Sequence, residues 1–214
     1  IELCKRHRVD PATGEARYLH AATACLARMD KAFGASADGA LCDRTSSLPG
    51  APEALGRLGD PHQPFQDLPT PSANAMAILA HQRMAALTGD DAHAGRARKL
   101  RDAFGPVLPT LGGPASSVPL AAEAVACGVT LVVVEGPGGE AGAQALLRAA
   151  GTGYAPHRLL VRVDPGDAAA RARLGLKDTP PAAKPTLYVF AGARFAGSVT
   201  EAAAAARLLG KAGR

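Results

Sequence analysis

The chain has 214 residues, 47% apolar and 20% charged, with a formal net charge of +5. That composition excludes a disordered tail, a collagen-like chain and a disulfide scaffold. No uninterrupted apolar run nears the roughly 18 residues needed to cross a bilayer, so no transmembrane helix is expected. Aromatic residues are 4% with no Trp, thin material for stacking platforms on bases or sugars.

The 48 Ala residues are good helix material and predict a helix-rich protein with a core of Leu, Val and Ala. The chain opens on Ile1, and Ile1, Leu3 and Cys4 read as one side of a helix's last turn. The polar run Lys5-Arg6-His7-Arg8 follows. No signal-peptide pattern precedes them, and the expectation is a piece of a longer chain that continues upstream; thiols that read as reduced suit the cytoplasm.

Two segments then echo each other. Thr13-Gly14-Glu15-Ala16-Arg17-Tyr18 opens a helix ending near Phe33, and Thr88-Gly89-Asp90-Asp91-Ala92-His93 opens one ending near Phe104. Each is a Thr-Gly break followed by an acidic first turn, which complements the helix dipole. Repetition at an offset of 75 residues suggests stacked helical hairpins.

Between the copies, Gly34 to Pro69 is polar and rich in Gly and Pro, longer than the roughly 12–15 residues of ordinary loops. It leads into Asp67-Leu68-Pro69-Thr70-Pro71-Ser72-Ala73-Asn74, the best-marked helix start in the chain. Thr70 is the expected N-cap and Pro71 the first helical residue. The helix runs to about Leu87, with Asn74, Ile78, His81 and Ala85 on one stripe.

After Pro106 the pattern breaks up until a short helix near Val118–Cys127. Val129-Thr130-Leu131-Val132-Val133-Val134 then reads as a strand buried on both faces. Gly136–Gly139 turns into a helix over Glu140–Ala150, Leu159–Val163 is a second strand, and Gly166–Leu174 a helix. Thr186–Phe190 and Arg194–Ser198 form a hairpin about Ala191-Gly192-Ala193, and Thr200 caps a last helix through Leu209. The fold class is therefore mixed. Helical hairpins over 1–128 precede a small α/β unit over 129–214, which has a short, mostly parallel sheet and a C-terminal hairpin.

The charge pattern does not mark a nucleic-acid surface. Its densest groups, Lys5/Arg6/Arg8 and Arg96/Arg98/Lys99/Arg101, read as solvated faces rather than one basic patch. Cys4, Cys25, Cys42 and Cys127 have no CxxC or metal-ligand spacing and read as reduced, structural thiols. No metal or cofactor is expected. Glu123 and Glu135 fall on different elements and do not suggest an acid/base pair.

The order of these parts resembles a known family. It is carried by the Thr-Gly-acidic helix, Gly39-Ala40-Leu41-Cys42-Asp43, Thr70-Pro71-Ser72-Ala73-Asn74 and the Val-rich strand. Tyr154-Ala155-Pro156-His157-Arg158, Tyr188-Val189-Phe190 and Ser198-Val199-Thr200 follow in turn. This is similar to the C-terminal part of the thioredoxin-domain-containing proteins of the DUF255 group, related to spermatogenesis-associated protein 20. The resemblance covers nearly the whole chain but only about the last third of such a protein. It implies an upstream thioredoxin-like domain joined to an (α/α)6 toroid, similar to the toroids of N-acylglucosamine 2-epimerases and six-hairpin glycosidases. The redox cysteines of that upstream domain are not in this chain. The two cysteines that family members tend to carry in the last hairpin are Phe190 and Phe195 here.

By the same resemblance, Asp67, Thr70, Ser72 and Asn74 match the family's Asp-x-x-Thr-Pro-Ser-x-Asn pattern and become candidates to line a funnel for a small carbohydrate. His81, on the same stripe, is a candidate acid or base. The same Thr70, Ser72 and Asp67 serve equally as caps and loop anchors. The implied partners are the upstream domain and the rest of the toroid, with no nucleic acid and no membrane. Two other functions compete. One is a non-catalytic packing and interaction module. The other is dinucleotide binding at Gly136-Pro137-Gly138-Gly139-Glu140-Ala141, which fits G-x-G-x-x-A after a strand and has Asp164 ending the next strand. Pro137 offers no N–H to a phosphate, and Glu140 places negative charge where a pyrophosphate would sit.

Overall fold

The computed structural model describes residues 14–34, 36–45, 60–111, 113–137, 139–153 and 155–212. The expected opening helix end and the Lys5/Arg6/Arg8 group lie outside these residues. By its internal contacts the chain divides into Ile1–Gln82 with Asp91–Ala126, and Arg83–Asp90 with Cys127–Arg214.

In the first unit, α1 (Gly14–Phe33) spans 20 residues. Helix α2 (Ala73–Thr88) follows the loop region. Along its first-unit part, up to Gln82, Ala75, Ala77, Ile78, Leu79, His81 and Gln82 are buried, and its alanines keep its girth small. It starts two residues later than expected, with Ser72 as its cap. The Ser72 hydroxyl accepts the Ala75 N–H at 3.4 Å, while Thr70 is drawn into a bridge with Leu68 and stays outside the helix. Gly89 ends the helix in the left-handed region at φ 68°, its N–H bonded to the Ala85 carbonyl at 2.8 Å, as a C-terminal glycine does.

Helix α3 (Asp91–Phe104) opens on an acidic residue and buries Ala97, Leu100 and Phe104, spaced for one helical face. A short helix α4 (Leu108–Leu111) and a 3-10 turn (Gly113–Ala115) lead into α5 (Ser117–Cys127). The core of this unit joins Leu41, Ile78, Leu100, Phe104, Val118 and Ala121, with Met29, Phe33 and Phe65 packed against it. Phe65 meets Phe104 edge-on, centroids 4.6 Å apart.

The second unit runs β1 (Thr130–Glu135), α6 (Ala141–Gly151), β2 (Arg158–Val163), α7 (Ala168–Arg173), β3 (Thr186–Ala191), β4 (Arg194–Val199) and α8 (Ala202–Ala212). These bounds follow the sequence expectation to within one or two residues at most ends. The strands lie in the order β2-β1-β3-β4. The sheet is mixed rather than mostly parallel. Only β1–β2 is a parallel pairing, because the hairpin docks through β3, which runs antiparallel to both β1 and β4.

Alternation along β1 supplies both faces of the sheet. Leu131 and Val133 join Leu159, Val163, Ala170, Leu174 and Tyr188 on one side, with Ala86 and Leu87 packed against them. Val132 and Val134 join Ala143, Leu146, Leu187, Val189, Ala205 and Leu209 on the other.

Candidate functional site

Asp67 occupies the meeting point of two helix starts. One carboxylate oxygen accepts the Ser72 N–H ahead of α2 at 2.9 Å, and the other accepts the Ser117 N–H of α5 at 2.8 Å. The Ser117 hydroxyl also donates to Asp67, and the Ser116 hydroxyl does so at 3.0 Å. Both helix ends need a negative partner for their unpaired N–H groups, and a single carboxylate serves them both. These donors, the Ser117 hydroxyl foremost, hold the Asp67 carboxyl at a pKa of about 2, below its ordinary 3.8.

Asn74 is fully buried. Its Oδ1 accepts the Leu41 N–H at 2.7 Å and its Nδ2 donates to the Leu41 carbonyl at 2.9 Å, so the amide replaces a strand partner for that stretch of loop. Ser72, also buried, donates its hydroxyl to the Pro64 carbonyl at 2.9 Å. Asp67, Ser72 and Asn74 therefore direct their polar atoms to backbone groups and hydroxyls of their own unit. Thr70 is exposed, and together with Asp67, Pro71, Ser116, Ser117 and Leu120 it lines a shallow recess of about 430 Å³.

His81 is 2% exposed and has partners that sequence alone did not supply. Its Nδ1 lies 3.0 Å from Nδ1 of His93 on α3. Its Nε2 lies 3.3 Å from Asp30 Oδ2 on α1, an ion-pair distance without aligned hydrogen-bond geometry. Arg96 Nε closes the chain by donating to Asp30 Oδ1 at 2.8 Å. Burial holds the His81 pKa below the ordinary 6.5; Asp30 works against that shift, and His93 and Arg96 reinforce it.

In the second unit, Glu135 is fully buried. Its Oε1 accepts Arg171 Nε–H at 2.7 Å and its Oε2 accepts the Tyr188 hydroxyl at 3.1 Å. Arg171 donates onward to the Thr179 carbonyl at 2.5 Å. Desolvation, then the hydrogen bond to Glu135, raises the Tyr188 pKa. Sequence reasoning passed over this triad. Its visible signal is a carboxylate closing a continuous Val run, where a strand buried on both faces leaves no solvent for a charge.

Two glycines near the end of β1 face the protein itself, while Gly139 between them faces open space. A Cβ on Gly142 would stand 3.2 Å from Pro185 Cγ, and one on Gly136 would stand 3.1 Å from Ala143 Cβ and 3.4 Å from Pro185 Cβ. These two glycines admit Pro185 and the helix to the strand end. Arg162 donates to the Gly136 carbonyl at 3.1 Å, and Asp164 accepts the Gly166 N–H at 2.9 Å within its own turn.

The remaining sequence candidates are placed as follows. Arg101 pairs with neighbouring Asp102 at 2.6 Å, and Arg96 faces Asp30, which divides the second basic group. Cys25 and Cys127 are exposed; Cys42 is buried, and desolvation raises its pKa. Cys4 lies outside the described residues. Phe190 and Phe195 sit with centroids 5.6 Å apart. Among the described residues, no group of three or more His, Cys, Asp or Glu side chains is placed to hold a metal ion, and no helix is long and apolar enough to cross a membrane.

No protein-family model, curated protein or solved structure matches the chain.

Proposed function

We propose that the chain is the C-terminal portion of a cytoplasmic, thioredoxin-domain-containing protein of the DUF255 type. Its helices contribute hairpins to an α/α toroid and act there as a packing and interaction module rather than as ligand-binding walls. The partners in this role are the upstream thioredoxin-like domain and the rest of the toroid. One observation carries the choice of role. Asp67, Ser72 and Asn74, the residues whose pattern suggests a carbohydrate funnel, bond to backbone groups and hydroxyls within their own unit. The buried Asn74 amide or the half-buried Asp67 carboxylate, engaged in this way, has to surrender a structural bond before it can take a ligand.

The funnel is the second reading, favoured by Thr70 and Asp67, which both line the recess. Thermal melts of the chain with hexoses, N-acetylhexosamines and NAD(H) separate the two. The packing role predicts that none of these raises the Tm, while Asp67→Ala and Asn74→Ala lower it with or without ligand. A sugar-dependent rise abolished by Thr70→Ala would overturn the packing role and favour the funnel. A rise with NAD(H) alone would return attention to the glycine turn.

A further inference from the structure

Strand β2 is one edge of the sheet in the second unit, with β1 as its neighbour. In a parallel pair, alternate residues turn their backbone groups toward the neighbouring strand. The His157 carbonyl accepts the Thr130 N–H at 2.9 Å, and the Val163 carbonyl accepts the Gly136 N–H at 3.1 Å. Odd-numbered residues therefore face β1, and Leu160 and Arg162 turn their N–H and C=O groups to the open side. Among the described residues, no hydrogen bond fills these four groups.

The same register puts Arg158, Leu160 and Arg162 on one face of the strand. Arg158 donates to the Ala150 and Thr152 carbonyls at the end of α6, at 2.7 and 2.9 Å, and Arg162 to the Gly136 carbonyl at 3.1 Å. Both side chains are thus held at the edge, half-buried, with half-buried Leu160 between them. Among the described residues, neither arginine is paired with a carboxylate. Asp164, just past the strand, is turned into its own bend by the Gly166 N–H.

We propose that the β2 edge takes an extended acidic segment of another protein as a fifth, antiparallel strand. Two acidic side chains four residues apart stand opposite Arg158 and Arg162, and an apolar one stands opposite Leu160. The open backbone groups supply the pairing, and the arginines select the sequence. This goes beyond the packing role and rests on other residues. A second copy does not fit. Antiparallel self-pairing about Leu160 would set Arg158 of one copy against Arg162 of the other, and like charges directly opposite are destabilising. Another stretch of the same chain does not fit either, because none of its 19 acidic residues lies four positions from another. Arginines that guard an edge against random strands thereby admit one with the complementary charge.

Fluorescence anisotropy of a labelled peptide, Thr-Val-Glu-Thr-Val-Thr-Glu-Val-Thr, titrated with the chain tests the proposal. The anisotropy should rise. N-methylation at the first Glu and the central Val, which removes the N–H groups facing β2, should weaken binding by about tenfold or more. Lys in place of both Glu residues should weaken it at least as much. Arg162→Glu should weaken it by roughly three- to thirtyfold, and a peptide with Lys for the first Glu should recover binding to that variant. Amide exchange by NMR on the wild type decides the matter if Arg162→Glu does not fold. The bound peptide should protect the Leu160 and Arg162 amides and leave those of β4 unchanged. Three results would overturn the proposal. These are no rise in anisotropy, equal binding of the N-methylated or Lys peptide, or protection that appears on β4 instead of β2.

Discussion

Arg171 and Glu135 form an ion pair 2.7 Å long that is almost closed to solvent, the carboxylate side chain 0% exposed and the guanidinium 7%. It pins the short helix α7 to the end of β1. Removing one partner of such a pair leaves an uncompensated buried charge and costs about 3–5 kcal/mol, whereas replacing both with apolar groups is often neutral. Arg171→Met is therefore expected to lower the urea midpoint of the second unit strongly. Adding Glu135→Leu to it should recover most of the loss. A double variant no better than the single would show that shape, rather than charge pairing, holds the site.

Tyr188→Phe tests the other arm of the same triad. The substitution leaves Glu135 Oε2 without its hydroxyl donor and should cost about 1–3 kcal/mol. In the wild type, the Tyr188 phenol should ionise only at alkaline pH above its ordinary 10, since burial and Glu135 both oppose the phenolate. Absorbance titration near 295 nm compared with Tyr188→Phe, on the order of magnitude of one phenol's signal, reads this directly.

Asp67 gives an acid signature of its own. Its folded pKa of about 2 lies below the ordinary 3.8, so the unfolded chain takes up a proton first as pH falls. The stabilisation is complete above pH 3.8 and is lost between there and about pH 2. Asp67→Asn should have a lower Tm at neutral pH and a flatter Tm profile across that window. Parallel profiles for variant and wild type would assign the acid sensitivity to other carboxylates.

Asn74 carries a prediction of order rather than size. Asn74→Ala leaves the Leu41 N–H and C=O without their side-chain partners, at about 1–3 kcal/mol for each buried group. Asn74→Asp should be worse at pH 7, because a carboxylate would face the Leu41 carbonyl, which in the wild type accepts from the amide nitrogen at 2.9 Å. Denaturant midpoints of the two variants give the order, and an Asp variant more stable than the Ala variant would contradict it.

The contrast between Leu131–Val134 and His81 shows what was legible in the sequence. A run of apolar residues with alternating sides declares a strand by short-range pattern alone, and β1, β2 and the hairpin followed from it. Which strand would stand beside β1 is a long-range choice, and the antiparallel insertion of β3 had no local mark. The Asp-x-x-Thr-Pro-Ser-x-Asn segment reads as a helix start, and the Ser72 N–H is a local donor to Asp67, yet the other donors come from Ser116 and Ser117, roughly fifty positions away. His81 likewise met Asp30 and His93 only through packing. Whether a polar side chain is free to act depends on such distant neighbours, and pattern reading along one segment does not supply them.

Strand β1 is the earliest of the four in the chain, yet it takes an interior place between β2 and β3. During synthesis it therefore waits for residues 186–191 before its second row of N–H and C=O groups is paired. Until then a Val-rich segment, uncharged from Thr130 to Val134, presents an open edge, the form of strand most prone to sticking to its like. A chain cut short at Pro185 should accordingly aggregate in a cell that keeps the complete chain dispersed. A central first strand makes the dispersal of the chain depend on residues 186–191, which come more than fifty positions later.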